Sequence, residues 1–103
     1  PLIEWMRDNL NSSHTVVSLA ARANMSSRTF ARRFQEQTGT TALQWLLTAR
    51  IDRARALLEE SDTSIDQTAL LSGFGSAVTF RSRFRKVVGL TPTEYRRRFS
   101  SVN

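Results

Sequence analysis

Apolar residues recur along this chain at intervals of three and four, and strand-like alternation of apolar and polar residues is absent. This spacing predicts an all-α protein of seven helices, which are short except for the fourth. The first two helices are marked by Leu2, Ile3, Trp5, Met6 and Leu10, and by Val16, Val17, Leu19, Ala20 and Ala23. The fourth helix has the longest apolar stripe, composed of Leu43, Leu46, Leu47, Ile51, Ala54, Leu57 and Leu58.

Residues that begin or end helices flank these segments. Ser26 and Ser76 are suited to cap the third and sixth helices, because a serine oxygen accepts a bond from the free N–H groups of a first turn. Gly39 and Gly89 are suited to end the same two helices. Capping boxes are predicted from Thr41 to Gln44, from Ser64 to Gln67 and from Thr91 to Glu94. In the last box Pro92 occupies the first helical position, which makes this the clearest helix start in the chain.

Two segments of the chain repeat each other fifty positions apart. The first copy contains Ser26, Thr29, Phe30, Arg33, Phe34, Gly39 and Thr41, and the second contains Ser76, Thr79, Phe80, Arg83, Phe84, Gly89 and Thr91. One helix earlier, Ala20 matches Ala69 at an offset of 49, which predicts one extra residue in the turn of the second copy. Chance similarity between amphipathic helices would match the phenylalanines, but it would not also match the caps and the stop glycine.

Each copy has the order helix, short turn, helix. In a helix-turn-helix the first helix braces the second, which lies in the DNA major groove. A helix advances about 100° per residue. At this spacing the inward residues are predicted to be Phe30, Phe34 and Gln37 in the first copy, and Phe80, Phe84 and Val87 in the second. The outward sets occupy equivalent positions and are Arg28, Ala31, Arg32 and Gln35, and Val78, Arg81, Ser82 and Arg85.

The predicted architecture is therefore two helix-turn-helix subdomains, each a homeodomain-like unit, within one DNA-binding domain over residues 1–103. The first subdomain spans about 15–39 and the second about 64–89. A linker helix over about 41–61 joins them, and a final helix covers about 91–100. A linker of that length rises roughly 30 Å. Because major-groove segments one turn apart are separated by roughly 34 Å, we expect one chain to read two of them.

The charge of the chain favours a nucleic-acid partner. The net charge is +6 and the isoelectric point is near 11.4. Only Lys86 of the 15 basic residues is lysine, and arginine can grip phosphate or guanine through two donors at once. A soluble domain with an arginine-rich surface would show the same balance. A basic helical RNA- or protein-interaction module is the alternative function, although it does not need the duplicated turn.

Signatures of catalysis and of cofactor binding are missing from the sequence. There is no cysteine, no serine–histidine arrangement, no phosphate loop and no metal-ligand spacing around His14, so we expect no enzyme, cofactor or metal site. The carboxylates Glu59, Glu60, Asp62 and Asp66 are expected to serve as surface solvation, or to keep that side off DNA, rather than as acid/base catalysts. No apolar run reaches the roughly 20 residues of a membrane span. Because the chain opens with Pro1 within a helical pattern, we expect it to be a fragment of a longer protein.

The second half of the chain carries a specific motif composed of Ser64-Ile65, Ala69, Gly73-Phe74, Phe80, Arg83, Phe84, Gly89, Thr91-Pro92 and Tyr95-Arg96. The first half matches more loosely through Leu19-Ala20, Met25-Ser26, Phe30, Arg32 and Phe34. Together these residues resemble the DNA-binding domain of the AraC/XylS family of transcription regulators, from about Val16 to Phe99. Glu4-Trp5-Met6-Arg7 and the segment 28–34 further resemble the subgroup with a PfpI-like, amidotransferase-like N-terminal domain.

The resemblance implies which side chains touch DNA. The implied base-reading residues are Arg28, Ala31, Arg32, Ala77, Val78, Arg81 and Ser82. Contacts to the DNA backbone are expected from Ser26, Ser27, Gln35, Ser76, Thr79 and Arg85. Two residues depart from the family pattern: Ser82 replaces a common arginine, which predicts weaker or different readout by the second unit, and Thr68 replaces a larger aliphatic residue. The second departure predicts a packing gap or an added hydroxyl bond.

The resemblance also implies partners and location. The expected partner is double-stranded promoter or operator DNA, and RNA polymerase is a candidate second partner. An N-terminal effector or dimerisation domain is expected in the remainder of the protein. The expected location is the bacterial cytoplasm, with the protein at the nucleoid when it is bound to DNA.

Overall fold

The computed structural model describes residues 1–101, and within them the chain forms seven α-helices and no strand. The helices are α1 (Leu2–Asp8), α2 (Val16–Arg22), α3 (Ser27–Thr38), α4 (Ala42–Glu60), α5 (Ile65–Leu71), α6 (Ala77–Val88) and α7 (Pro92–Phe99). The predicted all-α class is confirmed. The fourth helix is the longest, with 19 residues.

Side-chain caps begin several of these helices. Thr91 and Glu94 form the predicted reciprocal capping box of α7. At the other two predicted boxes the structure shows the hydroxyl half, in which Thr41 and Ser64 accept the N–H groups of the residues three positions later at 3.1 and 3.0 Å. A further capping box between Thr15 and Ser18 starts α2 and was not predicted, because serine is a weaker signal than glutamate at that position.

The chain contacts divide the molecule into two compact units, and the boundary lies within α4. Unit 1 extends to Ala49 and unit 2 begins at Arg50. In unit 1, α2 packs against α3, and α1 adds apolar side chains to the same core. The buried residues of this core are Met6, Leu10, Leu19, Ala20, Phe30, Phe34, Ala42 and Leu46.

In unit 2, α6 packs against both α5 and α7. The buried apolar residues of unit 2 are Ile51, Ala54, Leu58, Ala69, Phe80, Phe84 and Tyr95. Tyr95 also closes the end of α4, because its hydroxyl donates to Glu59 Oε2 at 2.5 Å. Burial and this carboxylate raise the pKa of Tyr95 to about 12, which keeps the phenol protonated as a donor. This structural role of Glu59 was not predicted from the sequence, because a partner 36 positions away lies outside any local pattern.

Three residues predicted on inward or packed faces are exposed. Val87 in the last turn of α6 and Leu43 in the first turn of α4 are 51% and 50% exposed, and Gln37 is also exposed. Helical periodicity indicates the direction of a side chain, but it does not indicate how far neighbouring elements extend along the helix. Residues at helix ends can therefore lie on the correct face and still lack a packing partner.

The structure shows how the second departure from the family pattern, at Thr68, is accommodated. The Thr68 side chain is fully buried, and its hydroxyl donates to the Ser64 carbonyl at 2.7 Å. The added hydroxyl bond is therefore confirmed. In unit 1 the position 49 residues earlier is occupied by Leu19, which is also buried. None of the helices described in residues 1–101 is long and apolar enough to span a membrane.

Candidate nucleic-acid interface

The two turns that precede the reading helices have the same backbone geometry. The N–H of Met25 donates to the Ala20 carbonyl, and the N–H of Phe74 donates to the Ala69 carbonyl, each at 2.9 Å. Ala20 and Ala69, the alanines that match between the two copies, are 2% and 0% exposed. The offset of 49 therefore holds through the turn as far as Phe74.

The extra residue of the second copy is Gly75. Met25 is followed directly by the N-cap of α3, whereas Gly75 separates Phe74 from the N-cap of α6. Gly75 has a φ of +78°, a left-handed conformation that glycine adopts without steric cost. The insertion is thus absorbed before the helix begins, and both reading helices start at a serine cap.

The reading helices α3 and α6 have the same length of 12 residues, and both end at a left-handed glycine. Their phenylalanines Phe30, Phe34, Phe80 and Phe84 are at most 5% exposed. These aromatic rings therefore belong to the core and are not available to stack on bases.

The outward faces of both helices are open to solvent. The predicted base-reading residues Arg28, Ala31, Arg32, Val78, Arg81 and Ser82 are all exposed. Val78 is 76% exposed although it is apolar, and Ala77 is half-buried. The structure therefore brings the first-unit readers onto one exposed face of α3 and the second-unit readers, apart from Ala77, onto one exposed face of α6.

The residues predicted to contact the DNA backbone are also exposed and lie mainly at the helix starts. Ser26 and Ser76 serve as N-caps, and each oxygen accepts a backbone N–H at 3.2 Å. The hydroxyl of Ser76 also donates to Thr79 Oγ1. Ser27, Gln35 and the arginine at position 85 extend the same exposed surface.

The charges on the two faces differ in kind. On α3, Arg32 forms an ion pair with Glu36 at 3.0 Å, and both side chains are 60% exposed. This partner of a predicted reader was missed, although the spacing of four residues on a helix signals such a pair. On α6 the charged residues are all basic and comprise Arg81, Arg83, Arg85 and Lys86. Within residues 1–101 no group of three or more potential ligands is placed to hold a metal ion.

The sequence of the chain is similar to known proteins over most of its length. A helix-turn-helix domain family model matches residues 19–98. The MmsAB operon regulatory protein of Pseudomonas aeruginosa is 35% identical over 91% of this chain and 31% of its own length. The transcriptional activator RhaS of Klebsiella pneumoniae is 33% identical over 92% of the chain and 34% of its own length. The chain thus spans about a third of the length of these curated relatives.

The chain is also similar to solved structures of DNA-binding domains. The DNA-binding domain of the transcriptional factor AdpA, crystallised with a target DNA, is 45% identical and superposes with a TM-score of 0.91. The match covers 95% of this chain and 88% of that domain. A regulator with an AraC-type DNA-binding domain from Chromobacterium violaceum is 29% identical, with a TM-score of 0.83 over 99% of this chain and 91% of that one.

The repeated turn, the paired reading helices and these matches define a helix-turn-helix domain of the AraC type. The chain belongs to the AraC/XylS family.

Proposed function

We propose that this chain binds double-stranded DNA sequence-specifically in a bacterial transcription regulator, with α3 and α6 inserted into adjacent major-groove segments. The observation that carries the proposal is the repeated pairing of a brace helix with a reading helix whose outward face is exposed. In each unit the phenylalanines are buried while the opposite side is exposed, so each helix can enter a groove without losing its packing.

The chemistry of the exposed faces fits base edges. Arg28, Arg32 and Arg81 can donate two bonds to the O6 and N7 acceptors of guanine. Ala31 and Val78 have no polar group and can contact the methyl group of thymine. Ser82 is short and makes at most a local hydrogen bond, so we assign weaker readout to the second unit at this position.

The remaining basic and hydroxyl groups support binding to phosphates. We assign this role to Ser26, Ser27, Gln35, Ser76, Thr79 and Arg85, which lie on the same exposed surfaces. Such contacts fix the register of a protein on the duplex and carry no sequence information. Together with the net charge of +6, they predict that affinity falls steeply with salt concentration.

We further propose the context of the whole protein. Because the chain spans about a third of its curated relatives, the complete regulator would carry an N-terminal effector or dimerisation domain, and RNA polymerase is a candidate partner. An amidotransferase-like N-terminal domain is the specific form that the first residues favour. Such a regulator would act in the cytoplasm, at the nucleoid.

The proposal is tested by selecting the duplex that the chain binds best from a random pool, and by comparing it with scrambled duplex and single-stranded RNA. We expect Arg32→Ala to weaken binding to the selected duplex by about 1–3 kcal/mol and to relax preference at one or two base pairs. Arg81→Ala should do the same in the other half of the site. Arg33→Ala is the matched control, because it removes an exposed arginine of α3 away from the reading face.

Three outcomes would each contradict a different part of the proposal. Equal weakening of Arg32→Ala on all sequences would make this residue a phosphate contact. Tighter binding to single-stranded RNA than to any selected duplex would favour an RNA-binding module. Hydroxyl-radical footprinting should show two protected segments on one face of the duplex, and a single protected segment would refute the use of both units.

A further inference from the structure

An acidic side chain lies beside a reader on α3. Arg32 Nη1 donates to Glu36 Oε1 at 3.0 Å, one helical turn further along, and both side chains are 60% exposed. The bond engages one of the guanidinium nitrogens. Because the guanidinium group has five N–H donors in a rigid plane, donors remain for the two acceptors of a guanine.

Helix stability does not account for this carboxylate. Glu36 lies in the last turn of α3, which ends at Thr38, and the negative end of the helix dipole disfavours an acid there. The order of arginine before glutamate is also the less stabilising arrangement of such a pair. Fifty positions later the equivalent residue is Lys86, in the last turn of α6, where the dipole favours a cation.

Resting on the proposed function, we propose that Glu36 is a positioning residue for sequence discrimination, which holds Arg32 for a base edge and opposes its use on phosphates. On a matching site Arg32 keeps its bond to Glu36 and directs its free donors to the base. On other sequences a released arginine would bind a phosphate, but the carboxylate competes with the phosphate for the guanidinium.

The second unit lacks this device. Ser82 occupies the position equivalent to Arg32, and Lys86 occupies the position equivalent to Glu36, so α6 has neither the reader nor the acid. A basic helix without an acid attracts any phosphate backbone equally. The inference therefore assigns the penalty against non-matching DNA to α3 alone.

The test measures the affinity of the complete 103-residue chain for the selected duplex and for scrambled duplex. Glu36→Gln should bind scrambled duplex about two- to five-fold more tightly at low salt, since an exposed ion pair has an effect of that order. Its binding to the selected duplex should change less, so the discrimination ratio falls. Glu60→Gln removes the same charge from an exposed site at the end of α4 and should leave the ratio unchanged.

A double-mutant cycle separates this role from a general charge effect. In an Arg32→Ala background, Glu36→Gln should no longer alter the discrimination ratio, because its target is gone. Additive effects of the two changes would overturn the inference. A lower thermal midpoint for Glu36→Gln would assign the residue to helix stability and would also overturn it.

The inference and the proposed function fail in different ways. If Arg32→Ala reduces discrimination while Glu36→Gln leaves it intact, only the role of Glu36 is refuted. If Arg32→Ala itself leaves discrimination unchanged, Arg32 reads no base and the role of Glu36 fails with it. The proposed function fails only if the parent chain does not distinguish the selected duplex from scrambled duplex.

Discussion

Unit 1 and unit 2 build the same turn on different cores. In unit 1 the reading helix contributes two phenylalanines, Phe30 and Phe34, whose ring centroids lie 5.7 Å apart. In unit 2 a continuous row of aromatic rings runs through Phe74, Phe80, Phe84, Tyr95 and Phe99, with centroid distances between 4.7 and 5.5 Å. The residues that support the turn can therefore change while its backbone geometry is retained.

The supports around the reading helices differ in the same way. In unit 1, Trp45 is half-buried, and the guanidinium of Arg7 lies 5.5 Å from its ring. The equivalent Tyr95 of unit 2 is buried and bonded to Glu59. Unit 1 is closed by α1, whose Trp5 ring is covered by Arg22 at 3.6 Å. Different residues therefore hold the exposed reading helix in place in the two units.

The largest effect is expected from truncating the two core phenylalanines. Phe84→Ala and Phe34→Ala should each lower the free energy of unfolding by roughly 3–5 kcal/mol through the cavity they leave. Phe84 should cost more, because it is fully buried between two aromatic rings whereas Phe34 contacts one. Urea unfolding followed by circular dichroism measures both losses.

Tryptophan fluorescence adds a probe of unit 1, because both tryptophans, Trp5 and Trp45, lie there. The loss from Phe34→Ala should be visible in this signal, because Phe34 lies in the same unit as both tryptophans. Phe99→Ala is the control, since this ring is 49% exposed and its loss should cost less than either. Equal costs for Phe34 and Phe84 would contradict the difference between the two cores.

The stop glycines provide a comparison in which the units should behave alike. Gly39 and Gly89 have φ values of +79° and +88°, and a Cβ at either position would meet no atom within 4 Å. Gly39→Ala and Gly89→Ala should therefore each cost about 1 kcal/mol, from left-handed backbone strain alone. Thermal unfolding of the two variants measures the costs. A clear difference between them would show that the two helix ends are not equivalent.

A smaller loss of stability, confined to unit 2, is expected from a substitution at Thr68. Thr68→Val keeps the shape but removes the bond to the Ser64 carbonyl, which still accepts the Thr68 N–H at 2.8 Å. We expect a loss of about 0.5–1.5 kcal/mol in unfolding free energy, the usual net value of one hydrogen bond. Denaturant midpoints of the variant and the parent chain measure it. A gain in stability would show that unit 2 prefers an aliphatic residue there, as unit 1 does with Leu19.

The smallest effect is expected on the stability of the protein at acidic pH. The N–H of Thr91 donates to Glu94 and lowers the pKa of this carboxyl, whereas the equivalent position in unit 1 is occupied by the neutral Gln44. A carboxyl whose pKa is lower in the folded state stabilises the protein at pH values above its pKa in the unfolded chain, near 4.5. This contribution is lost as the pH falls through the pKa of the folded state. Unfolding between pH 7 and pH 3 should show a slightly weaker acid dependence in Glu94→Gln. An identical pH profile would remove Glu94 from the difference between the units.

Much of the candidate site could be predicted from local patterns. The serine caps and the outward faces of α3 and α6 follow from spacings of three and four residues, which a helix converts directly into direction. The extra residue of the second turn could also be predicted from the change of offset between the copies, although its location at Gly75 could not. The pair of Arg32 and Glu36 was equally readable but was overlooked.

The remaining features depend on partners that are distant in sequence. The exposure of Leu43 and Val87 depends on where neighbouring helices end, and the bond from Tyr95 to Glu59 joins residues 36 positions apart. Local sequence determined the helices, their caps and the exposed faces, because those rest on hydrogen bonds and periodicity within a few residues. Only the tertiary structure decided which inward-facing residues near the helix ends are buried and that Glu59 pairs with Tyr95, because burial and long-range pairing depend on surfaces supplied by other helices.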